Sequence, residues 1–163
     1  SFYGYQGAKP AATMDESFPD VMNYVENHYK VAKDKAHRAI CGLSMGGGHS
    51  FDISRRFPTK FDYVGLFSAG LHVSTTGDFR NDFYKQLQGN EEAKTQLATL
   101  FKNKPKLYWI GMGKTDFLYK SSADLRRYFD EKGYKYTYLE TEGGHIWRNW
   151  RVYLTEFAQK IFK

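Results

Sequence analysis

Residues 38–50 read Arg-Ala-Ile-Cys-Gly-Leu-Ser-Met-Gly-Gly-Gly-His-Ser, and the order of residue types within them decides the fold. Arg38 to Leu43 is a short, mostly apolar run with the look of a buried strand. It passes without a linker into Gly42-Leu43-Ser44-Met45-Gly46, a G-x-S-x-G pattern, and then into a helix through Phe51, Ile53 and Phe57 that Pro58 ends. The pattern alone is common, because Gly and Ser are common. Its place between a strand end and a helix start makes it specific, since a nucleophile elbow needs that setting. Glycines two before and two after the serine let the backbone fold back sharply and hold the hydroxyl above the sheet. There a helix N-terminus favours a developing anion. The N–H of Met45 is then the expected donor to an oxyanion.

Outward from the elbow, strands alternate with helices. Strands are expected at 63–68, 106–112 and 134–140, with helices at about 17–29, 79–88, 91–102, 118–132 and 149–162. Three strands, counting the one at 38–43, are largely apolar, as strands covered on both faces are. The class is therefore α/β, a mostly parallel sheet flanked by helices. Residues 1–14 read as loop, Pro19 suits the first turn of the first helix, and Gly133 supplies a left-handed stop after residue 132.

A serine hydroxyl needs a base, and the fold that uses this elbow places acid and histidine on loops after later strands, in the order Ser, acid, His. His145 follows the fourth strand in Gly-Gly-His-Ile-Trp, where Gly143 and Gly144 permit a sharp return toward Ser44. His28 and His37 precede the serine, and His49 lies in the helix after it. His72, in the loop after the second strand, is the rival base and a candidate substrate contact. Asp116 follows the third strand in Gly-Met-Gly-Lys-Thr-Asp-Phe and is the expected partner of His145. Its competing role is to cap the next helix. Asp124 and Asp130 fall inside that helix.

Composition narrows the partners. The chain has 163 residues, 41% hydrophobic and 26% charged, enough for one domain with its own core. The net charge is +6, but the Lys and Arg residues are scattered without a nucleic-acid-binding pattern, so a solvated basic surface is expected and no nucleic acid. Aromatics reach 18%, which fits an aromatic core and also a groove for sugar or phenolic rings. No apolar stretch approaches the roughly 20 residues of a membrane span. There is no zinc motif, carboxylate-rich loop or phosphate loop, so no metal and no cofactor are expected. Cys41 is the single cysteine, and its apolar neighbours predict a buried, inert thiol.

Five blocks, DESFPDVMNYVENHY, AHRAICGLSMGGGHS, FDYVGLFSAG, KLYWIGMGKTDF and EGGHIWRNWRVYLTEF, together resemble the esterase D-like branch of the α/β hydrolases. The closest likeness is to carbohydrate esterase family one, the feruloyl and acetylxylan esterases of plant cell-wall degraders. The resemblance covers nearly the whole chain. It implies a catalytic triad of Ser44, Asp116 and His145, with Met45 as oxyanion donor, hydrolysis of feruloyl or acetyl esters on xylan, no cofactor, and a secreted or periplasmic location. Trp147, beside the histidine, is expected either at the rim of the site or in the packing of the last helix. Relatives in the same fold include acyltransferases, thioester hydrolases and siderophore esterases. An inactive binding or assembly piece is the non-enzymatic alternative.

The chain departs from the family pattern at its start, just before the helix that leads into the elbow strand. The family's earlier strands have no counterpart, nor does the loop that normally carries the second oxyanion donor, an absence that costs about a hundredfold to a thousandfold in turnover. The expectation is that residues 1–163 form the C-terminal portion of a single α/β-hydrolase esterase domain. The elbow strand is then a bare sheet edge, and the rest of the domain is supplied by another segment or a second copy.

Overall fold

The computed structural model describes residues 13–73 and 82–163. The chain divides into two compact units, Ser1–Lys33 and Asp34–Lys163. Within the first lies α1, Met14–His28. It begins three residues before the expected Ser17 because Thr13 and Glu16 form a capping box. The Thr13 hydroxyl accepts the Glu16 N–H at 3.3 Å and the Glu16 carboxylate accepts the Thr13 N–H at 2.9 Å. Two otherwise orphaned donors are satisfied reciprocally. Pro19 consequently sits inside the helix rather than in its first turn.

The second unit opens with a 3-10 turn at Lys35–His37 and continues as β1 (Ala39–Leu43), α2 (Met45–Arg56), β2 (Tyr63–Phe67), α3 (Phe83–Gln88), α4 (Glu91–Lys102), β3 (Leu107–Gly113), α5 (Tyr119–Lys132), β4 (Thr137–Thr141) and α6 (Trp147–Ala158). The expected opening of the third helix at Phe79 lies outside the described residues. Asp82 caps α3 by accepting the Lys85 N–H at 3.2 Å. Gly133 closes α5 at φ 69°, a left-handed stop that costs glycine nothing. The last helix begins two residues earlier than the sequence suggests and ends earlier, at Ala158.

The four strands form one parallel sheet in the order β1-β2-β3-β4. Because side chains alternate along a strand, Tyr63, Phe67 and Trp109 share one face. They pack against Tyr153 and Phe157 of α6, with all five buried. Phe67 meets Trp109 edge to face at 5.4 Å and Phe157 at 5.7 Å, the geometry in which the positive ring edge meets a negative ring face. The opposite face carries Val64, Leu66, Tyr108, Ile110 and Met112, all buried. On this side α2 lies on β1 and β2, α5 on β3, and α3 and α4 on their helical neighbours. Covering on both faces explains why every residue of β2 is buried.

Among the described residues β1 has a partner strand on one side only. Cys41 therefore departs from expectation: it is exposed, not buried. Apolar flanking residues signalled a strand correctly but could not signal that this strand lies at an edge.

Parallel strands end on the same side of a sheet. The turns after β1, β3 and β4 thus open at one carboxyl-terminal edge, where ligands of open α/β sheets bind.

Candidate active site

Ser44 joins β1 to α2 with φ 56° and ψ −116°, a conformation L-residues rarely adopt. Such strain costs of order 1–3 kcal/mol and persists only where the surroundings over-determine it. Here the surroundings do so. The Ser44 N–H donates to the Phe67 carbonyl at 2.9 Å, and the Ser44 carbonyl accepts the N–H groups of Gly70 at 2.9 Å and Gly48 at 3.2 Å. The hydroxyl makes no capping bond to α2, which leaves it to the site. Met45 is the first helical residue, so its N–H has no partner within the helix.

The tight return also explains Gly42. A Cβ there would lie 2.0 Å from the Gly46 carbonyl oxygen and 2.8 Å from the Gly47 nitrogen, both backbone atoms that cannot swing away. Gly42→Ala is expected to destabilise the fold by about 3 kcal/mol or more through overpacking. Chemical denaturation measures this, and a loss below about 1 kcal/mol would show that the elbow can relax. Gly46 is different: a Cβ there meets nothing within 4 Å.

His145 stands on the loop after β4 and Asp116 on the loop after β3. The two loops are laced together by backbone bonds from Lys114 N–H to the Thr141 carbonyl at 2.9 Å and from Thr115 N–H to the Gly143 carbonyl at 3.1 Å. Gly143 takes φ 83°, and a Cβ on Gly113 would lie 2.3 Å from the Gly143 carbonyl oxygen, so the loops touch at backbone distance. Buried Asn149, in the first turn of α6, donates its amide N–H to the Gly144 carbonyl at 3.0 Å and fixes the segment just before the histidine.

The outcome is a continuous hydrogen-bonded relay. His145 Nε2 lies 2.9 Å from Ser44 Oγ, and His145 Nδ1 lies 2.9 Å from Asp116 Oδ2. The Asp116 side chain is fully buried while His145 keeps some exposure. The other carboxylate oxygen, Oδ1, accepts the Leu118 N–H at 2.9 Å. One oxygen thus faces the histidine and the other the turn before α5; the N-cap of that helix is Leu118, with no side-chain cap bond, so Asp116 does not cap it. Nearby, Tyr153 shares a hydrogen bond with Thr141 at 2.6 Å. Burial pushes its phenol above the ordinary value, and the Asp116 charge adds to that, so it stays neutral.

Of the other histidines, His28 bonds the Tyr24 carbonyl, His37 pairs with Asp34, His49 lies within α2, and His72 is exposed in the segment after β2. Trp147 opens α6 and remains 66% exposed, one ring removed from the histidine: it meets Trp150 edge to face at 5.2 Å, and Trp150 meets His145 at 4.9 Å.

Sequence reasoning missed two neighbours of His145. Trp150 touches the imidazole and is anchored by donating its indole N–H to Ser68 Oγ at 3.2 Å, where Ser68 is itself held at φ 45°. Phe117 places its ring 4.8 Å from the imidazole yet stays 70% exposed. For Trp150 the available signal was its helical spacing, which reads as core. For Phe117 it was adjacency to Asp116.

Known proteins share this architecture. The family described as "Putative esterase" matches residues 18–161. The acetyl esterase of Caldicellulosiruptor saccharolyticus is 24% identical over 88% of this chain and 61% of its own length. An endo-1,4-beta-xylanase/feruloyl esterase of Xylanibacter ruminicola is 29% identical over 92% of this chain and 17% of its own. A solved ferulic acid esterase superposes with a TM-score of 0.69 at 26% identity, covering 86% of this chain and 57% of that one. The chain thus spans about three-fifths of the acetyl esterase and of that solved structure. A parallel sheet flanked by helices, with a serine on a strained strand-to-helix turn, defines the α/β-hydrolase fold. The chain belongs to the esterase family.

Proposed function

We propose that the protein is a serine carboxylesterase acting on ester-linked acyl groups of plant cell-wall xylan, feruloyl first and acetyl second. The observation that carries this is the unbroken chain from Ser44 Oγ through His145 to buried Asp116, with 2.9 Å at each step. Ser44 Oγ attacks the ester carbonyl carbon as His145 Nε2 takes its proton, and the carbonyl oxygen, now an anion, is received by the Met45 N–H. Collapse expels the alcohol, which leaves with the proton from Nε2. Water, deprotonated by the same nitrogen, then attacks the acyl-enzyme, releases the acid and returns Ser44. Asp116 holds the tautomer with hydrogen on Nδ1 and stabilises the imidazolium.

The xylan and feruloyl parts of the reading draw on the xylanase/feruloyl esterase and ferulic acid esterase likenesses, and the acetyl part on the acetyl esterase. With them goes action outside the cell, where xylan is met. Among the described residues no helix is long and apolar enough to cross a membrane. The pairing of β1 on one side only among the described strands, and the length of the relatives, support a catalytic unit in which a further strand-bearing segment, or a second copy, pairs with β1 and brings the second oxyanion donor.

The test is labelling by a serine-directed fluorophosphonate, read by mass spectrometry, together with ferulate release from methyl ferulate and acetate release from acetylated xylan. Adduct on Ser44 with ferulate release is expected. Acetate release alone would reassign the acyl group. A folded sample that neither labels nor hydrolyses would overturn the reading in favour of a binding or assembly role.

A further inference from the structure

We infer that the exposed ring of Phe117 is the platform for the alcohol half of the substrate, the sugar ring that departs, rather than for the acyl group. The inference rests on the esterase reading above.

The reaction itself divides the space around the relay. One nitrogen, His145 Nε2, both takes the Ser44 proton and delivers it to the leaving oxygen. That oxygen must come within roughly 3 Å of Nε2, so whatever it is bonded to lies along the flank of the imidazole. The carbonyl oxygen is directed instead to the Met45 N–H at the start of α2, and the acyl substituent leaves the carbonyl carbon in a third direction. Residues in ring contact with His145 therefore border the alcohol.

Phe117 is such a residue. Its backbone is held on both sides, because Asp116 Oδ1 accepts the Leu118 N–H and the Asp116 carbonyl accepts the Tyr119 N–H, each at 2.9 Å. Its ring is thereby kept 4.8 Å from the imidazole at a tilt of 51°. Packing on the histidine does not account for it, since 70% of the residue remains in water. Trp150, the other ring on His145, is half-buried and hydrogen-bonded, as a packing residue should be. Trp147, Ile146 and Met45, each within two residues of the relay along the chain, are also exposed, so apolar surface recurs around the reactive centre. Apolar surface in water is unfavourable, and a rim of it around such a centre marks a binding face. A sugar ring suits that face. Its C–H groups cover an aromatic ring while its hydroxyls stay at the edge, in water.

The experiment uses the Ser44→Ala protein, so that turnover plays no part, and two probes: an arabinoxylo-oligosaccharide carrying no ester, for the alcohol side, and ferulate, for the acyl side. Affinities are measured by titration calorimetry. The oligosaccharide is expected to bind, to lose tenfold or more in affinity on Phe117→Ala, and to regain it with Phe117→Tyr, which restores the ring. Ferulate is expected to lose less than the oligosaccharide. Because Phe117 is mostly exposed, its truncation leaves the core intact. No oligosaccharide binding in the Ser44→Ala protein, equal affinity with and without the ring, or a loss confined to ferulate would each overturn the inference. The esterase reading is judged separately, by fluorophosphonate labelling of Ser44 in the unmutated protein.

Discussion

Ser44→Ala is expected to lower the turnover of methyl ferulate by about a million-fold, the scale on which removal of a serine nucleophile acts. The alanine keeps the same backbone strain at φ 56°, and the backbone bonds that hold the elbow do not involve the hydroxyl. Thermal stability should therefore change little, and the loss will be chemical rather than structural. His145→Ala should cost a similar factor, because the serine without its base is a poor nucleophile. The double variant should be no slower than either alone, since the two residues act as one unit. Turnover and fluorophosphonate labelling of all three proteins check this. A Ser44→Ala protein that retains even a tenth of the activity would remove Ser44 from the mechanism.

Asp116→Asn is expected to lower kcat by about ten-thousandfold while leaving the fold in place. The direction follows from the two bonds of the carboxylate. The oxygen facing Leu118 must remain an acceptor, because a backbone N–H points at it. In the asparagine, that assigns the carbonyl oxygen to Leu118 and turns the NH2 group toward His145 Nδ1. The ring then accepts at Nδ1 and carries its hydrogen on Nε2, the nitrogen that lies 2.9 Å from Ser44 Oγ. A protonated Nε2 cannot take the serine proton. Circular dichroism and kcat on the same sample separate this from unfolding. A drop of less than tenfold would mean that the imidazole chooses its tautomer without Asp116.

Ser44 and Asp116 differ in how plainly the sequence marks them. Ser44 is marked by its immediate neighbours: glycines on both sides, a strand before and a helix after, all within residues 38–57. Asp116 and His145 carry weaker local marks, glycines and a preceding strand, and their selection needed the order in which the fold presents its loops. The residues that most closely surround the imidazole were less legible still. Trp150 reads as one more apolar position of an amphipathic helix, and Phe117 as the residue after an aspartate. What distinguishes these two is a distant neighbour. Trp150 reaches Ser68, 82 positions earlier, and Phe117 reaches the ring of His145 on the loop after the next strand.

The sequence by itself determined the local pieces. Apolar runs bounded by Gly and Pro specified the strands, helical spacing specified the helices, and the glycines around Ser44 specified a turn too tight for any side chain at Gly42. These depend on residues within a few positions of one another, where sterics and hydrogen bonding act directly. Only the tertiary structure decided that β1 is an edge among the described strands, that Cys41 is therefore exposed, and that two loops laced by backbone bonds bring Asp116 and His145 to Ser44. Those facts depend on strand order and on contacts between residues far apart in the chain, about which local propensity carries no information.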